Sequence, residues 1–169
     1  NVMKVQYYKA IEDIGRERWQ SLCGTDYPFL RYEFLHALEA AKDSTAVGLD
    51  AKENTPLPAC CRETGWEPQH LLLFDQGQAI AAMPLYLKHH SYGEYIFDWA
   101  WADGYHRNGI NYYPKLLSAI PFSPVTGLRI GLQRVSPENH SKIIAIIANA
   151  LKERCAAGHA SSFHLLFPA

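Results

Sequence analysis

The residues with the greatest chemical potential lie between Tyr86 and Tyr113. Nine of the chain's 21 aromatic residues fall in this stretch, far more than even scattering would place there: Tyr86, Tyr92, Tyr95, Phe97, Trp99, Trp101, Tyr105, Tyr112 and Tyr113. Ionisable side chains are interleaved with them or follow closely: Lys88, His89, His90, Glu94, Asp98, Asp103, His106, Arg107 and Lys115. This composition is typical of a ligand cleft, where apolar walls hold a ligand and polar groups orient it. It also fits an aromatic core layer whose polar tips find partners.

Metal and nucleophile sites are weaker interpretations of the same stretch. His90, Glu94 and Asp98 would share one face if 90–98 were helical, but Gly93 and the aromatic residues argue against a helix, and there is no H-E-x-x-H motif. A nucleophile at Ser91 lacks the G-x-S-x-G turn that exposes such a serine. We therefore predict no metal site, and histidines with ordinary hydrogen bonds.

A phosphate site is a third possibility, further along the chain. Gly127, Arg129 and Arg134 lie just upstream of a helix that begins near Pro137, and backbone N–H groups at a helix N-terminus attract anions. Gly127 and Arg129 are therefore candidate cofactor-binding residues. Glu138 in the first turn would repel a phosphate, so a capped packing helix is the alternative.

The elements that must position these residues follow from periodicity and turn residues. The pattern predicts, in order, a strand at Val2–Tyr8, a helix through Ile11–Leu22, a second helix through Phe34–Ala41, a long and mobile loop over Lys42–Gly65, and a hairpin of His70–Phe74 with Ala79–Lys88. It then predicts an apolar segment at Lys115–Phe122, a short strand at Leu128–Leu132, a helix capped by Ser136 and ended by Gly158, and a strand at Ser162–Phe167. The continuous apolar character of that last strand predicts a buried, central position. We expect an α+β fold, an α/β/α sandwich with a mixed sheet flanked by helices.

Composition narrows the class of protein. The 169 residues carry a net charge of -1, so no global field favours nucleic acid or an anionic membrane, and we predict no DNA partner. The hydrophobic share of 48% excludes a disordered chain. No signal peptide or membrane-spanning stretch is visible. The four cysteines lack C-x-x-C spacing, so a reduced cytoplasmic protein is the expectation.

The end of the chain suggests that more protein follows. An apolar strand at Phe163–Phe167 is followed only by Pro168 and Ala169. The partner strands that would cover such a strand usually come after it. We therefore expect residues 1–169 to form a single, incomplete domain of a longer protein.

Several motifs together resemble one bacterial family. They are PFLR from Pro28, FLxALE from Phe34, GWxPxHL from Gly65, PLYLKxHSYGEYxFDW from Pro84, YYPKL from Tyr112 and PFxPVTG from Pro121. From about Trp19 to Phe167 the chain resembles the FemAB-like family of predicted N-acyltransferases. The resemblance implies an acyl-CoA N-acyltransferase (GNAT) fold that occurs twice in tandem, so this chain would be the N-terminal half and the missing C-terminal half its partner.

The resemblance also implies a chemistry. By analogy with the Fem transferases, the chain would move an acyl or aminoacyl group to an amine, which could be a small molecule or a peptidoglycan precursor, with acyl-CoA or aminoacyl-tRNA as possible donor. The Q/R-x-x-G-x-G/A loop that binds pyrophosphate in ordinary acetyltransferases is absent, which places acetyl-CoA use by this half in question.

Such a transfer needs a base for the amine and a donor for the oxyanion. Glu94, Asp98 or His90 could be the base. Tyr112, Tyr113 or Lys115 could face the oxyanion or a donor phosphate, and Trp99 with Trp101 could form cleft walls. The alternative is a non-catalytic half that recognises a cell-envelope precursor or docks on the missing half. A cleft open to solvent and lined by Glu94, Asp98 and Lys115 would favour catalysis or ligand binding, whereas burial of all three in paired contacts would favour a scaffold.

Overall fold

The computed structural model describes residues 2–40, 57–96 and 98–169. Within these ranges the strands are β1 (Lys4–Tyr8), β2 (Trp66–Pro68), β3 (His70–Asp75), β4 (Gln78–Met83), β5 (Tyr86–Lys88), β6 (Lys115–Ser118) and β7 (Phe163–Leu165). The α-helices are α1 (Arg16–Cys23), α2 (Tyr32–Glu39), α3 (Trp99–Arg107) and α4 (His140–Ala156). The chain contains both strands and helices, interspersed along its length, so the fold is mixed α+β, as the sequence predicts.

The strands form two sheets. One is antiparallel with the order β1-β3-β4, and the other has the order β2-β5-β6-β7, in which only β6 and β7 run parallel. The predicted hairpin of β3 and β4 is confirmed. The predicted second strand of this hairpin, residues 79–88, is interrupted at Pro84 and Leu85. As a result β4 lies in the first sheet and β5 in the second. The Ser118 hydroxyl donates a hydrogen bond of 2.7 Å to the Pro84 carbonyl, which ties the second sheet to this bend.

Helices cover both faces of the first sheet. Leu72 of β3 packs with Trp19 and Leu22 of α1 on one face. The neighbouring Leu71 and Leu73 pack with α4 on the other, because successive side chains of a strand point to opposite faces. Both faces are apolar for this reason. The sequence predicts one mixed sheet between helices, whereas the strands of the described residues form two sheets.

Several predicted elements differ from the structure. The first helix is interrupted at Gly15, whose φ of +89° lies outside the helical region and leaves a 3₁₀ turn before α1. Ser136 does not cap a helix through its side chain, since a 3₁₀ turn at Pro137–Asn139 precedes α4. Leu128–Leu132 is not a strand and makes only an isolated bridge at Gly131. Most of the predicted mobile loop, residues 42–56, lies outside the described residues.

The last strand is shorter and more exposed than predicted. β7 covers only Phe163–Leu165 and lies at the edge of its sheet, with Leu165 39% exposed. Phe163 packs with α4 from this edge position. Leu166 and Phe167, which follow the strand, pack against the second sheet. The prediction of a central strand is therefore wrong, because an unbroken apolar run reports contact with neighbouring layers and not the order of strands.

Candidate functional site

Two lysines lie opposite each other on adjacent strands of the second sheet. Lys88 ends β5 and Lys115 begins β6, and the antiparallel register pairs them directly. Both side chains are buried, with exposures of 0% and 1%. Like charges in this position repel, and buried ammonium groups need partners. The register alone therefore demands anionic groups nearby.

The segment between these strands supplies two carboxylates. Lys115 Nζ donates hydrogen bonds to Glu94 Oε2 at 2.8 Å and to Asp98 Oδ2 at 2.7 Å. The other oxygen of Glu94, Oε1, lies 3.8 Å from Lys88 Nζ. Glu94 thus bridges the two lysines, and the formal charges of the four side chains cancel.

Three hydroxyl groups complete the cluster. Ser91 Oγ accepts the third hydrogen bond from Lys115 Nζ at 3.1 Å and donates to Asp98 Oδ2 at 3.0 Å. The Tyr112 hydroxyl donates to the same Oδ2 at 2.6 Å, and the Tyr113 hydroxyl lies 2.5 Å from Ser91 Oγ. All three N–H groups of Lys115 are used, and Oδ2 of Asp98 accepts three bonds. Lys115 is consequently fixed in place and not free to bind a ligand.

Two carboxylate oxygens in this cluster remain unsatisfied. Glu94 Oε1 and Asp98 Oδ1 are buried and have no hydrogen-bond partner among the residues that the structure describes. Glu94 is only 3% exposed and Asp98 only 5% exposed. A buried acceptor without a donor costs about 1–3 kcal/mol. Such atoms in a folded protein indicate a missing donor from water or a ligand.

The cluster shifts the pKa values of its members. Burial raises the pKa of Glu94, against the opposing hydrogen bond and charge of Lys115. Burial also acts to raise the pKa of Asp98, but the hydrogen bonds from Lys115, Tyr112 and Ser91 outweigh it and the pKa is lowered. Burial lowers the pKa of Lys88 to about 8, although Glu94 partly opposes this. Of the two carboxyls, Glu94 is therefore the one suited to take up a proton.

A pocket of about 280 Å³ opens beside the cluster. It is lined by Glu94, Ile96, Asp98, Trp101, Tyr105, Tyr112, Lys115, Ser162, His164 and Leu166. The carboxylates with unsatisfied oxygens thus meet aromatic walls in one cavity. The sequence analysis treated an open cleft and a buried, paired cluster as alternatives. The structure contains both, because the paired residues Glu94, Asp98 and Lys115 also line the pocket.

Helix α3 forms one wall of the pocket. None of its nine residues is buried. Asp98 occupies the N-cap position, where an aspartate normally accepts a backbone N–H, yet its side chain makes no capping hydrogen bond. It binds Lys115 and Tyr112 instead. Asp98 therefore contributes its carboxylate to the cluster and leaves the N-terminus of α3 without a side-chain cap.

The structure brings most of the predicted site residues together. Glu94, Asp98, Lys115 and Tyr112 all line the pocket, and Trp101 stands at its wall. Tyr113 reaches the cluster through the hydroxyl of Ser91, which the sequence analysis set aside as a nucleophile. The roles of Glu94, Asp98 and the two tyrosines remain predictions. Lys115 has no N–H group left for an oxyanion or a donor phosphate, because all three are engaged within the cluster.

Two predicted residues lie apart from the pocket. His90 packs over Gly65, and its Nδ1 accepts the backbone N–H of Tyr92 at 3.2 Å. The Trp99 ring contacts Tyr92 with 5.4 Å between centroids and does not line the pocket. His90 makes no hydrogen bond to the cluster within the described ranges, so its proposed role as the base has no geometric support.

The two candidate cofactor-binding residues have other contacts. The Arg129 side chain is buried, and its guanidinium donates to the backbone carbonyls of Val125, Leu128 and Leu166. A side chain on Gly127 would collide with the Tyr27 ring, so this glycine serves close packing. This geometry gives no support to a phosphate site at Gly127 and Arg129, because the guanidinium is already engaged by the chain itself.

Lys88 and Ser91 are the participants that the sequence analysis left out of the site. Lys88 Nζ donates to the Tyr92 carbonyl at 2.9 Å and lies 3.8 Å above the Trp66 ring. The sequence signal that could have identified Lys88 is its position as a lysine among apolar residues at the end of a predicted strand. Its importance depends on the pairing with Lys115, which the sequence does not reveal.

Other structural features bear on the class of site. No group of three or more His, Cys, Asp or Glu side chains in the described ranges could hold a metal ion. The four cysteines are free thiols, of which Cys23 and Cys60 are buried. None of the helices that the structure describes is long and apolar enough to cross a membrane.

Comparison with known proteins gives one match. The family model FemAB-like, described as peptidoglycan biosynthesis/recognition, matches residues 10–169. No curated protein and no solved structure matches the chain.

Proposed function

The chain belongs to the FemAB-like family of peptidoglycan biosynthesis/recognition, and we propose that it transfers an acyl or aminoacyl group to an amine of a peptidoglycan precursor. The observation that carries the proposal is the buried Glu94–Lys115–Asp98 cluster, whose two unsatisfied carboxylate oxygens belong to residues lining a pocket. An amine offers the N–H donors that these acceptors lack.

Charge balance suits a nucleophilic amine. Two lysines and two carboxylates leave the cluster without net charge, so it does not favour an ammonium ion over the neutral amine. Only the neutral form carries the lone pair that attacks a carbonyl. The N–H of a neutral amine would donate to the carboxylate of Glu94, a residue that lines the pocket, and this bond would also orient the nitrogen.

The transfer step places one proton on Glu94. The amine nitrogen forms a bond to the acyl carbonyl carbon, and its N–H proton passes to the Glu94 carboxylate. The bond from that carbon to the leaving group then breaks, and Glu94 returns the proton to the leaving atom. The Lys115 ammonium, whose three hydrogen bonds go to Ser91, Glu94 and Asp98, holds the Glu94 carboxylate in position for both proton transfers.

The fold offers support for a GNAT-like domain and for neither donor in particular. A parallel pair of strands, β6 and β7, is connected through the long helix α4. Acyl-CoA and aminoacyl-tRNA both remain candidate donors, and Arg129, one of the residues that the sequence offered for a phosphate, is engaged by backbone carbonyls.

A recognition role is the second candidate. Glu94, Asp98 and Lys115 are all buried and paired with one another, as expected for a site that binds without turnover. In this case the pocket would hold the precursor while the chemistry takes place elsewhere.

A transfer assay separates the two. Purified chain is incubated with a peptidoglycan precursor that bears a free amine and with acetyl-CoA, longer acyl-CoAs or aminoacyl-tRNA in turn, and acylated product is detected by mass spectrometry. We expect product with one donor, at least a hundredfold less with Glu94→Gln, and unchanged yield with Glu138→Gln, an exposed and distant control.

The pH dependence tests the assigned base. The rate should fall on the acid side as Glu94 becomes protonated, with a midpoint above the ordinary glutamate pKa of 4.5 because burial raises the pKa of this side chain. Precursor binding without product from any donor would replace transfer by recognition. Full activity of Glu94→Gln would refute the assignment of the base.

A further inference from the structure

A serine and a histidine in the wall of the pocket have no part in the transfer step. Ser162 immediately precedes β7 and His164 is the middle residue of that strand, so the two side chains point in the same direction. Both residues line the pocket. Ser162 Oγ lies 3.0 Å from His164 Nε2, a distance at which the hydroxyl donates a hydrogen bond to an unprotonated ring nitrogen. A nucleophile and a base within hydrogen-bond reach of each other are thus present in one cavity.

The His164 ring is in a form that accepts a proton. Burial and the positive charge of Lys115 lower the pKa of His164 from its ordinary value of 6.5, although the charge of Asp98 partly opposes them. The imidazole is therefore neutral at pH 7. Tyr112 packs edge-on against the ring with 6.1 Å between centroids, and this contact restricts its orientation. When Nδ1 carries the proton of the neutral ring, Nε2 is the acceptor for the Ser162 hydroxyl.

The rest of the pocket suits a small, uncharged substrate. Ser162 and His164 are only partly buried, so a molecule in the pocket can reach them. The walls include the apolar side chains of Ile96, Trp101 and Leu166, and the neighbouring cluster of two lysines and two carboxylates has no net charge. A volume of about 280 Å³ limits the ligand to a small molecule.

We propose that Ser162 and His164 form a nucleophile–base pair that hydrolyses small, uncharged carboxylic esters, an activity separate from the transfer to an amine. Ser162 Oγ forms a bond to the ester carbonyl carbon, and its proton passes to His164 Nε2. The bond from that carbon to the alcohol oxygen then breaks, and His164 returns the proton to this oxygen. Water attacks the acyl-serine in the same way, with His164 again as the base. The products are the carboxylic acid, the alcohol and the restored Ser162 hydroxyl.

The test uses p-nitrophenyl acetate as the ester. Release of p-nitrophenolate by the purified chain is followed by absorbance, and the acetylated residue is located by peptide mass spectrometry after an acid quench. We expect an acetyl group on Ser162 and continued release beyond one p-nitrophenolate per chain, because water removes the acetyl group. Acetylation of Ser162 should slow about a hundredfold in His164→Gln, and turnover should be lost in Ser162→Ala.

Two matched controls replace the same residue types outside the pocket. Ser141→Ala and His159→Gln change an exposed serine and an exposed histidine that do not line it, and both should react as fast as wild type. Circular dichroism checks that each variant is folded. In wild type, the rate of Ser162 acetylation should rise with pH as His164 loses its proton, with a midpoint below 6.5.

Four results would overturn the inference. These are acetylation confined to other side chains, release that stops at one p-nitrophenolate per chain, an equal rate in His164→Gln, or a rate that does not change between about pH 5 and pH 8. The proposed function fails separately. Transfer to the amine without acetylation of Ser162 would contradict only the ester hydrolysis, whereas ester hydrolysis without transfer from any donor would contradict only the transferase.

Discussion

Replacing Lys88 by Met should change how stability depends on pH. Burial lowers the pKa of Lys88 from 10.5 to about 8. Between these two values the unfolded chain binds a proton that the folded protein does not, so the free energy of unfolding rises with pH across this window. A shift of about 2.5 units corresponds to about 3 kcal/mol. The contribution is present above pH 10.5 and is lost as the pH falls through about 8.

Lys88→Met has no group that titrates at this position. Its free energy of unfolding, measured relative to wild type, should therefore be about 3 kcal/mol more favourable at pH 7 than at pH 10.5. The comparison between the two proteins is needed because other buried groups, such as Cys23, whose pKa burial raises to about 12, oppose the trend in both. Their effect cancels in the difference.

The measurement is urea unfolding at pH 7, 8, 9, 10 and 10.5, followed by circular dichroism. Lys152→Met, an exposed substitution on α4, is the control and should give a constant difference from wild type. If the difference between Lys88→Met and wild type also stayed constant over this range, the Lys88 ammonium would not be desolvated as the structure requires, and the electrostatic account of the cluster would be wrong.

Three further predictions concern stability and can be checked by the same unfolding experiment at pH 7. Lys115→Met should lose about 3–5 kcal/mol, because two buried carboxylates remain without their shared cation, and changing both carboxylates to amides in that background should restore part of the loss; an unchanged stability would refute the cluster. Gly65→Ala should be destabilising by more than about 1 kcal/mol, since φ is +78° and the new Cβ would lie 2.2 Å from an imidazole atom. Gly104→Ala, inside α3 and in open space, should be stabilising by about 0.5–1 kcal/mol, and a loss there would contradict the described packing of the helix.

The local features of the fold were accessible from the sequence. The hairpin of β3 and β4 follows from turn residues and strand composition within fifteen residues. Glu94, Asp98 and Lys115 could be selected because they are ionisable groups interleaved with, or close to, so many aromatic residues. Their meeting in one cluster could be inferred only from their closeness in the sequence. That closeness does not predict distances or hydrogen bonds.

Long-range pairing was not accessible. Lys88 and Lys115 are 27 positions apart, and only the register of β5 with β6 places them opposite each other. Helix α3 was missed because two tryptophans, Gly104 and a histidine give its nine residues little intrinsic helical preference. The edge position of β7 depends on which strands flank it, which no apolar run encodes.

The lack of buried residues in α3 has a dynamic consequence. Detaching this helix exposes little apolar surface and breaks no side-chain cap, so its backbone amides should exchange with solvent through local openings, far below the free energy of global unfolding. Each opening removes Trp101 and Tyr105 from the pocket. A ligand seated there must hold the helix closed, and so slow that exchange in proportion to its occupancy. Deuterium uptake at residues 99–107 is thus a label-free gauge of ligand binding, whichever molecule the pocket accepts.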